Sequence, residues 1–398
     1  MKIALLIAAL ILSSCTIMVK PIAGNFKDNP NEMREKISPK AKELIEESFK
    51  EIKEHRDYHV HAVGMGTNGT SNWVNPGMNS WLAPYKKLQY SVYMSASGIK
   101  DPNNADIQYV DRLVALLRSE PRLGKAVLFA FDYSRDENGE IDYEHSSFYI
   151  PNEYVWELSQ KYPDVFIPAI SVHPHRKDAI EELTKWGERG VKYMKWLPNS
   201  MRIDPSNPKL KDYYEVVKKY GITIITHSGH EKAVEGEAYQ ELGSPLKLKL
   251  PLDMGVKIIM AHLASLGDCH DTEANGEMVS CFDLFWRMFL RPEYKDNLIG
   301  EISGTTLYTR IGRPIQEVIK HPEYAPRLVN GSDYPLPAIN ILYRTGQLVK
   351  MGFLSEEERD ALNEIYQYNP LLFNFVMKRT LRDPETKKKL SPQIFEAK

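Results

Sequence analysis

The stretch "RDYHVHAVG", residues 56–64, reads as a short β-run that ends on two histidines two positions apart. Side chains alternate along a strand, so His59 and His61 face one way while Val60 turns to the other. Seven further apolar runs end on a polar or aromatic residue in the same manner. They close near Phe131 ("AVLFAFD"), at His173 ("FIPAISVH"), at Lys195 ("VKYMK") and at His227 ("ITIITH"), then at His262 ("VKIIMAH"), Ser303 ("NLIGEIS") and Asp333 ("RLVNGSD"). Segments with helical apolar spacing lie between them, for example 178–189, 209–219 and 314–320. Alternation of this kind predicts parallel βα units, and eight of them predict a (β/α)8 TIM barrel, with a doubly wound open sheet as the alternative. In a barrel the strand C-termini gather at one mouth, so the polar residues that end these runs would meet there.

Outside the repeat, Ser38-Pro39 predicts an N-cap and first turn of a helix through Leu44, Ile45, Phe49 and Ile52. After Asp333, Ser355 predicts a second cap and Asn369-Pro370 a third, giving helices that pack on the barrel. The connection from 64 to about 120 is too long for a plain turn and is expected to cover the mouth. Residues 38–382 therefore form one barrel domain in this reading, and the Lys-rich stretch 383–398 a solvated tail.

The first residues read differently. Lys2, the apolar run from Ile3 to Leu12 and then Ser13-Ser14-Cys15 have the shape of a signal peptide, too short to be a permanent span. The small residues before Cys15 resemble a bacterial lipobox, which implies cleavage after residue 14 and a lipid on Cys15; the alternative is an ordinary cleaved signal with an incidental cysteine. Residues 15–37 would be a tether. The expected location is the bacterial cell envelope on the periplasmic side, with Thr16 leaning towards the outer membrane. Cys269 and Cys281 remain, and an oxidising compartment permits a disulfide between them. A second metal site at Cys269-His270-Asp271 is the competing reading.

With 42% hydrophobic and 26% charged residues and a formal net charge of -2, the chain has no signature of disorder or of a polyanion binder. Nucleic acid is not an expected partner; a small molecule is.

His59, His61, His227, His262 and Asp333 together offer imidazole and carboxylate donors for a divalent ion: zinc first, iron or manganese as alternatives. The order HxH, Lys, His, His, Asp resembles the amidohydrolase superfamily of metal-dependent hydrolases over 56–375. Within it, "HSGHE", "AHLASLG", "GSDYP" and "YNPLLF" look like the branch containing aminocarboxymuconate semialdehyde decarboxylase. The resemblance implies that His59, His61, His227 and Asp333 hold one metal and that His262 is the acid-base residue, with Asp333 able to share the proton transfer. In binuclear members a carboxylated lysine at the position of Lys195 bridges two ions, which would add Lys195 and His262 to the ligands; the branch favours one ion. Otherwise Lys195 is a cation that binds substrate.

Lesser candidates for substrate contact are His173, His175, Trp73, Trp81, Trp196 and the arginines Arg176, Arg202, Arg310 and Arg313. His230 and Glu231 are candidates for fixing the tautomer of His227. The reaction expected is hydrolysis of a C–N or C–O bond (amide, cyclic amide, lactone or ester) through metal-activated water. The alternatives are non-oxidative decarboxylation of an unsaturated or aromatic acid, and a catalytically silent barrel lipoprotein.

Overall fold

Eight strands make a parallel sheet in which each pairs with the next in chain order. They are β1 (Arg56–His61), β2 (Lys125–Phe129), β3 (Phe166–Ile170), β4 (Tyr193–Trp196), β5 (Thr223–Thr226), β6 (Ile258–Met260), β7 (Leu298–Glu301) and β8 (Leu328–Val329). The sheet closes on itself just past β8. Tyr58 N donates to Asn330 O at 2.9 Å, Asp333 N to His59 O at 2.8 Å and His61 N to Tyr334 O at 3.0 Å. The fold is thus the expected TIM barrel rather than an open sheet. The computed structural model describes residues 22, 23, 26 and 29–398. The expected signal segment 1–14, Cys15 and most of the tether lie outside the described residues.

Helices alternate with the strands. α1 (Pro39–Phe49) precedes β1, while α2 (Pro84–Ala96) and α3 (Ala105–Arg118) follow it. α4 (Asn152–Lys161), α5 (Ala179–Glu188) and α6 (Lys211–Lys219) follow β2, β3 and β4, and α7 (Cys281–Phe289) and α8 (Arg313–Lys320) follow β6 and β7. α9 (Glu356–Tyr366) and α10 (Pro370–Thr380) complete the coat. The caps act as their residue types dictate: the side chains of Ser38 and Asn369 accept from Ala41 N and Leu372 N, and Ser355 forms a reciprocal box with Glu358. α1 stops at Phe49, short of Ile52.

Inward side chains fill the barrel. Tyr58, Val127, Phe129, Ala169, Ile225, Ile259 and Val329 form an inner core, while Val60, Leu128, Met194, Ile224 and Ile258 belong to the outer one beneath the helices. Register shifts between Asp57 and Val60 of β1 against β2. This bulge sets Tyr58 and His59 against the single Val127, so that Tyr58 enters the inner core and His59 still reaches the mouth.

Two expectations are corrected. Residues 29–37, read as tether, include the helix Met33–Lys36 and bury Met33 and Ile37. The tail is not a solvated end: Leu390, Ile394 and Phe395 are buried, Ala397 N donates to Glu54 O at 2.8 Å, and Tyr58 Oη donates to Lys398 O at 2.7 Å. Its lysines mask an apolar spacing that seals the barrel floor. Cys269 and Cys281 are disulfide-bonded, bracing the ribbon of Asp268–His270 and Met278–Ser280; the reading of this pair as metal ligands falls away.

Candidate metal centre

β1 delivers His59 and His61 to the mouth with ring centroids 5.2 Å apart. The turn after β8 brings Asp333 to both. Its Oδ1 lies 3.4 Å from His59 Nε2 and 3.3 Å from His61 Nε2. Donors bound to one ion at about 2.1 Å stand about 3.4 Å apart at the tetrahedral angle, so both separations are those that a shared divalent cation requires. Asp333 occupies a left-handed backbone conformation, φ 64°, uncommon for a residue with a side chain.

A second relationship lies beneath the triangle. Glu301, the last residue of β7, is fully buried and places Oε2 3.0 Å from His59 Nδ1. Ser303 Oγ donates to the same oxygen at 2.6 Å and lies 2.8 Å from His262 Nδ1. One proton per hydroxyl makes the chain self-consistent: His262 Nδ1–H donates to Ser303 Oγ, and Ser303 Oγ–H and His59 Nδ1–H both donate to Glu301. Each ring then keeps its Nε2 lone pair free, the tautomer a metal ligand or proton acceptor needs. Burial pushes Glu301 up to about 7. His59, His227 and His262 are driven well below the usual imidazole range, first by burial and then by nearby cations, so the rings are neutral.

Glu301 and Ser303 carry no role in the sequence reading. The one signal was an acidic residue at an inward position of an otherwise apolar strand. Gly331 makes the contact possible: a Cβ there would come within 2.6 Å of His59 Cβ and would collide with Glu301 Oε1.

Lys195 arrives from β4, fully buried, with Nζ 3.0 Å from His59 Nε2 and 4.8 Å from the centre of the Phe129 ring. Burial lowers it to about 8. A cation here faces the same nitrogen that a metal would use, so the lysine must be neutral, modified or displaced when that nitrogen is occupied.

His262 reaches the rim through three consecutive left-handed residues, His262, Leu263 and Ala264, with φ of 59°, 52° and 49°. Its ring is 5.0 Å from His59 and 5.0 Å from His227. His227 shares the rim but not the triangle. Its Nδ1 lies 3.3 Å from Glu231 Oε2 and its Nε2 3.3 Å from His230 O. A neutral ring carries one N–H, so these two acceptors call for opposite tautomers: Glu231 leaves Nε2 free for a ligand, and the His230 carbonyl leaves Nδ1 free. Donor groups of metal-binding size are His59, His61, Asp333 and His59, His262, Glu301, both among the described residues.

Most of the candidate substrate contacts are committed elsewhere. His173 is buried with Nε2 2.7 Å from Met201 O, and its Nδ1 accepts from His175 N at 3.1 Å, so it locks a loop and does not face the mouth. Arg202 pairs with Asp142, Arg176 with Asp178 and Asp132, and Arg313 with Asp283. Trp196 is buried and donates to Val172 O. Arg310 forms no ion pair among the described residues, and its Nη1 lies 3.4 Å from Ser265 Oγ. Trp73 does line a cavity, of about 410 Å³, together with Met78, Lys86, Tyr143 and Glu235.

No protein-family description matches this chain, and no curated protein is similar to it. Among solved structures, an uncharacterised TIM-barrel protein of Bordetella bronchiseptica is 13% identical, covering 80% of this chain and 96% of that one, with a TM-score of 0.48. A 4-oxalomesaconate hydratase of Rhodopseudomonas palustris is 16% identical over 79% and 96%, TM-score 0.41. A 5-carboxyvanillate decarboxylase of Novosphingobium aromaticivorans with bound manganese is 11% identical over 80% and 94%, TM-score 0.42. These are likenesses of overall path.

Proposed function

We propose that this chain is a metal-dependent hydrolase of the amidohydrolase type, acting on a C–N or C–O bond in an amide, cyclic amide, lactone or ester. The observation that supports it is the triangle of His59 Nε2, His61 Nε2 and Asp333 Oδ1, backed by Glu301 on His59 Nδ1. These three residues would hold one divalent cation, with His227 completing the set by turning its ring from His230 O. The donor set suits zinc, then iron or manganese. When bound, the cation supplies Lewis acidity that acidifies water and polarises the scissile group. His262, neutral and held at Nδ1 by Ser303, accepts a proton at Nε2 and returns it to the leaving group. Lys195 and Arg310 hold or polarise an anionic part of the substrate.

Those two cations also favour a second reading, decarboxylation of an unsaturated or aromatic acid, because a leaving carboxylate needs a positive neighbour. We further propose that the protein sits in the bacterial envelope, periplasmic side, on a lipid at Cys15, more readily the outer than the inner membrane.

Incubating metal-loaded protein with panels of amides, lactones and aryl carboxylates separates the readings. New acid from the first two supports hydrolysis, and released CO2 supports decarboxylation. Protein that neither retains nor takes up zinc, iron or manganese would leave only the silent barrel.

A further inference from the structure

Helix α2 buries only Val92 and Ala96. At its N-terminal end four large apolar side chains stand in solvent: Trp81 is 65% exposed, Leu82 96%, Tyr85 76% and Leu88 40%. Tyr85 and Leu88 are three apart and share a helix face, with Trp81 and Leu82 in the turn that leads in. Two lysines flank them. Lys87 Nζ lies 4.2 Å from the centre of the Trp81 ring and 2.8 Å from Asn79 Oδ1, and Lys86 pairs with Glu235 at 2.8 Å. Apolar tips interleaved with lysines, one of them with its ammonium over an aromatic ring, are the composition of a segment seated at a lipid–water interface.

The patch stands at the mouth. Lys86 reaches Glu235, and Gln89 and Tyr93 donate to Ala233 O, all in the loop that follows His227 and Glu231. The N-terminal chain comes to the other end of α2. Phe26 packs 5.4 Å from the Tyr366 ring and 4.8 Å from the Arg112 guanidinium. The side chain of Arg112 fills the space over Gly98, just beyond the end of α2. Ala23 is buried, so the free stretch runs from Ile22 to Cys15, seven positions (22 − 15) and a reach of up to about 23 Å. α2 itself, with 13 residues, is about 20 Å long. The free stretch and α2 are thus of similar length, so a lipid on Cys15 can reach the level of Trp81 by running alongside the helix.

The geometry points to a lipid bilayer as the partner that covers this face: residues 81–88 dock on the membrane that holds Cys15, and the barrel mouth is turned towards it. The docking rests on the lipid-anchor reading above. The anchor supplies a high local concentration of membrane, which lets a four-residue patch engage although it would bind weakly alone.

The test uses protein purified from membranes and reconstituted in vesicles of phosphatidylethanolamine and phosphatidylglycerol. Intact mass decides the anchor first, and a chain without acyl groups at Cys15 removes both the anchor and the docking. With the anchor established, amide hydrogen exchange in 81–90 should be at least fivefold slower on vesicles than in the mature chain carrying Cys15→Ser in vesicle-free buffer, with α6 as internal reference. The double variant Leu82→Glu, Tyr85→Glu should lose this slowing on vesicles while melting like the unaltered chain. Equal exchange with and without vesicles overturns docking and leaves the anchor standing. Slowing that grows with protein concentration in vesicle-free buffer overturns it in favour of a contact between copies.

Discussion

Glu301 Oε2 and His59 Nδ1 lie 3.0 Å apart, both side chains fully buried. The carboxylate orients the ring and raises the basicity of the nitrogen on its far side, the one that faces Asp333. Glu301→Gln keeps the shape and removes the charge. Metal affinity should fall about 10- to 100-fold, with turnover falling alongside it and the far-ultraviolet spectrum unchanged. Competition titration with a chromophoric chelator reads the affinity, and an unaltered value would show that the carboxylate does not act through the metal.

Gly331 is pressed against the same pair, with room for no Cβ beside His59. Gly331→Ala should cost about 1–3 kcal/mol of stability through overpacking. It should also weaken metal binding, because the collision pushes Glu301 and His59 apart. Urea unfolding and metal content of the same preparation check both effects; a loss of stability with full metal content would separate packing from positioning.

Lys195 Nζ stands 3.0 Å from His59 Nε2. Lys195→Met removes a charge of the same sign as the metal from a buried site. If the lysine acts as a cation, metal affinity should rise about tenfold or more while turnover collapses. If it is carboxylated and bridges two ions, the variant should bind one ion fewer. Stoichiometry by inductively coupled plasma mass spectrometry distinguishes the outcomes.

His55, just before β1 and packed on Phe375, is buried and fully engaged as a neutral ring: Nδ1 donates to Leu123 O at 2.6 Å and Nε2 accepts from Asn330 Nδ2 at 3.1 Å. Burial lowers it from 6.5 to about 4. Between these values the unfolded chain binds the extra proton, so the stability this ring contributes is complete above pH 6.5 and is lost as pH falls towards 4. The loss amounts to about 3 kcal/mol. In urea denaturation, His55→Gln should be less stable at pH 7.5 and should lose less than the unaltered chain on going to pH 4.5. Parallel pH profiles for the two chains would place the acid sensitivity elsewhere.

Much of this site is legible from where apolar runs stop. His59 and His61 close β1 and Asp333 follows β8 in the next turn, and parallel closure brings strand ends together whatever the intervening length. What escaped the sequence depends on partners that spacing does not reveal. Glu301 looks like an ordinary strand residue until His59, 242 positions earlier, is seen against it. His173 also ends a strand-like run, yet the carbonyl of Met201 claims it. The direction of His227 was hidden for the same reason. The tail misled because lysines at 387–389 outweigh Leu390, Ile394 and Phe395 in any local average, although the latter three decide where it goes.

The surplus residue that β1 carries relative to β2 sets a constraint of counting. With two β1 positions opposite Val127, phenol and imidazole both look into the lumen at successive heights; with one, that level would hold only the phenol or only the imidazole, because Val60 and His61 keep their places against Leu128 and Phe129. A single deletion between Asp57 and Val60 should therefore cost either the phenol that fills the lumen or the imidazole that stands above it.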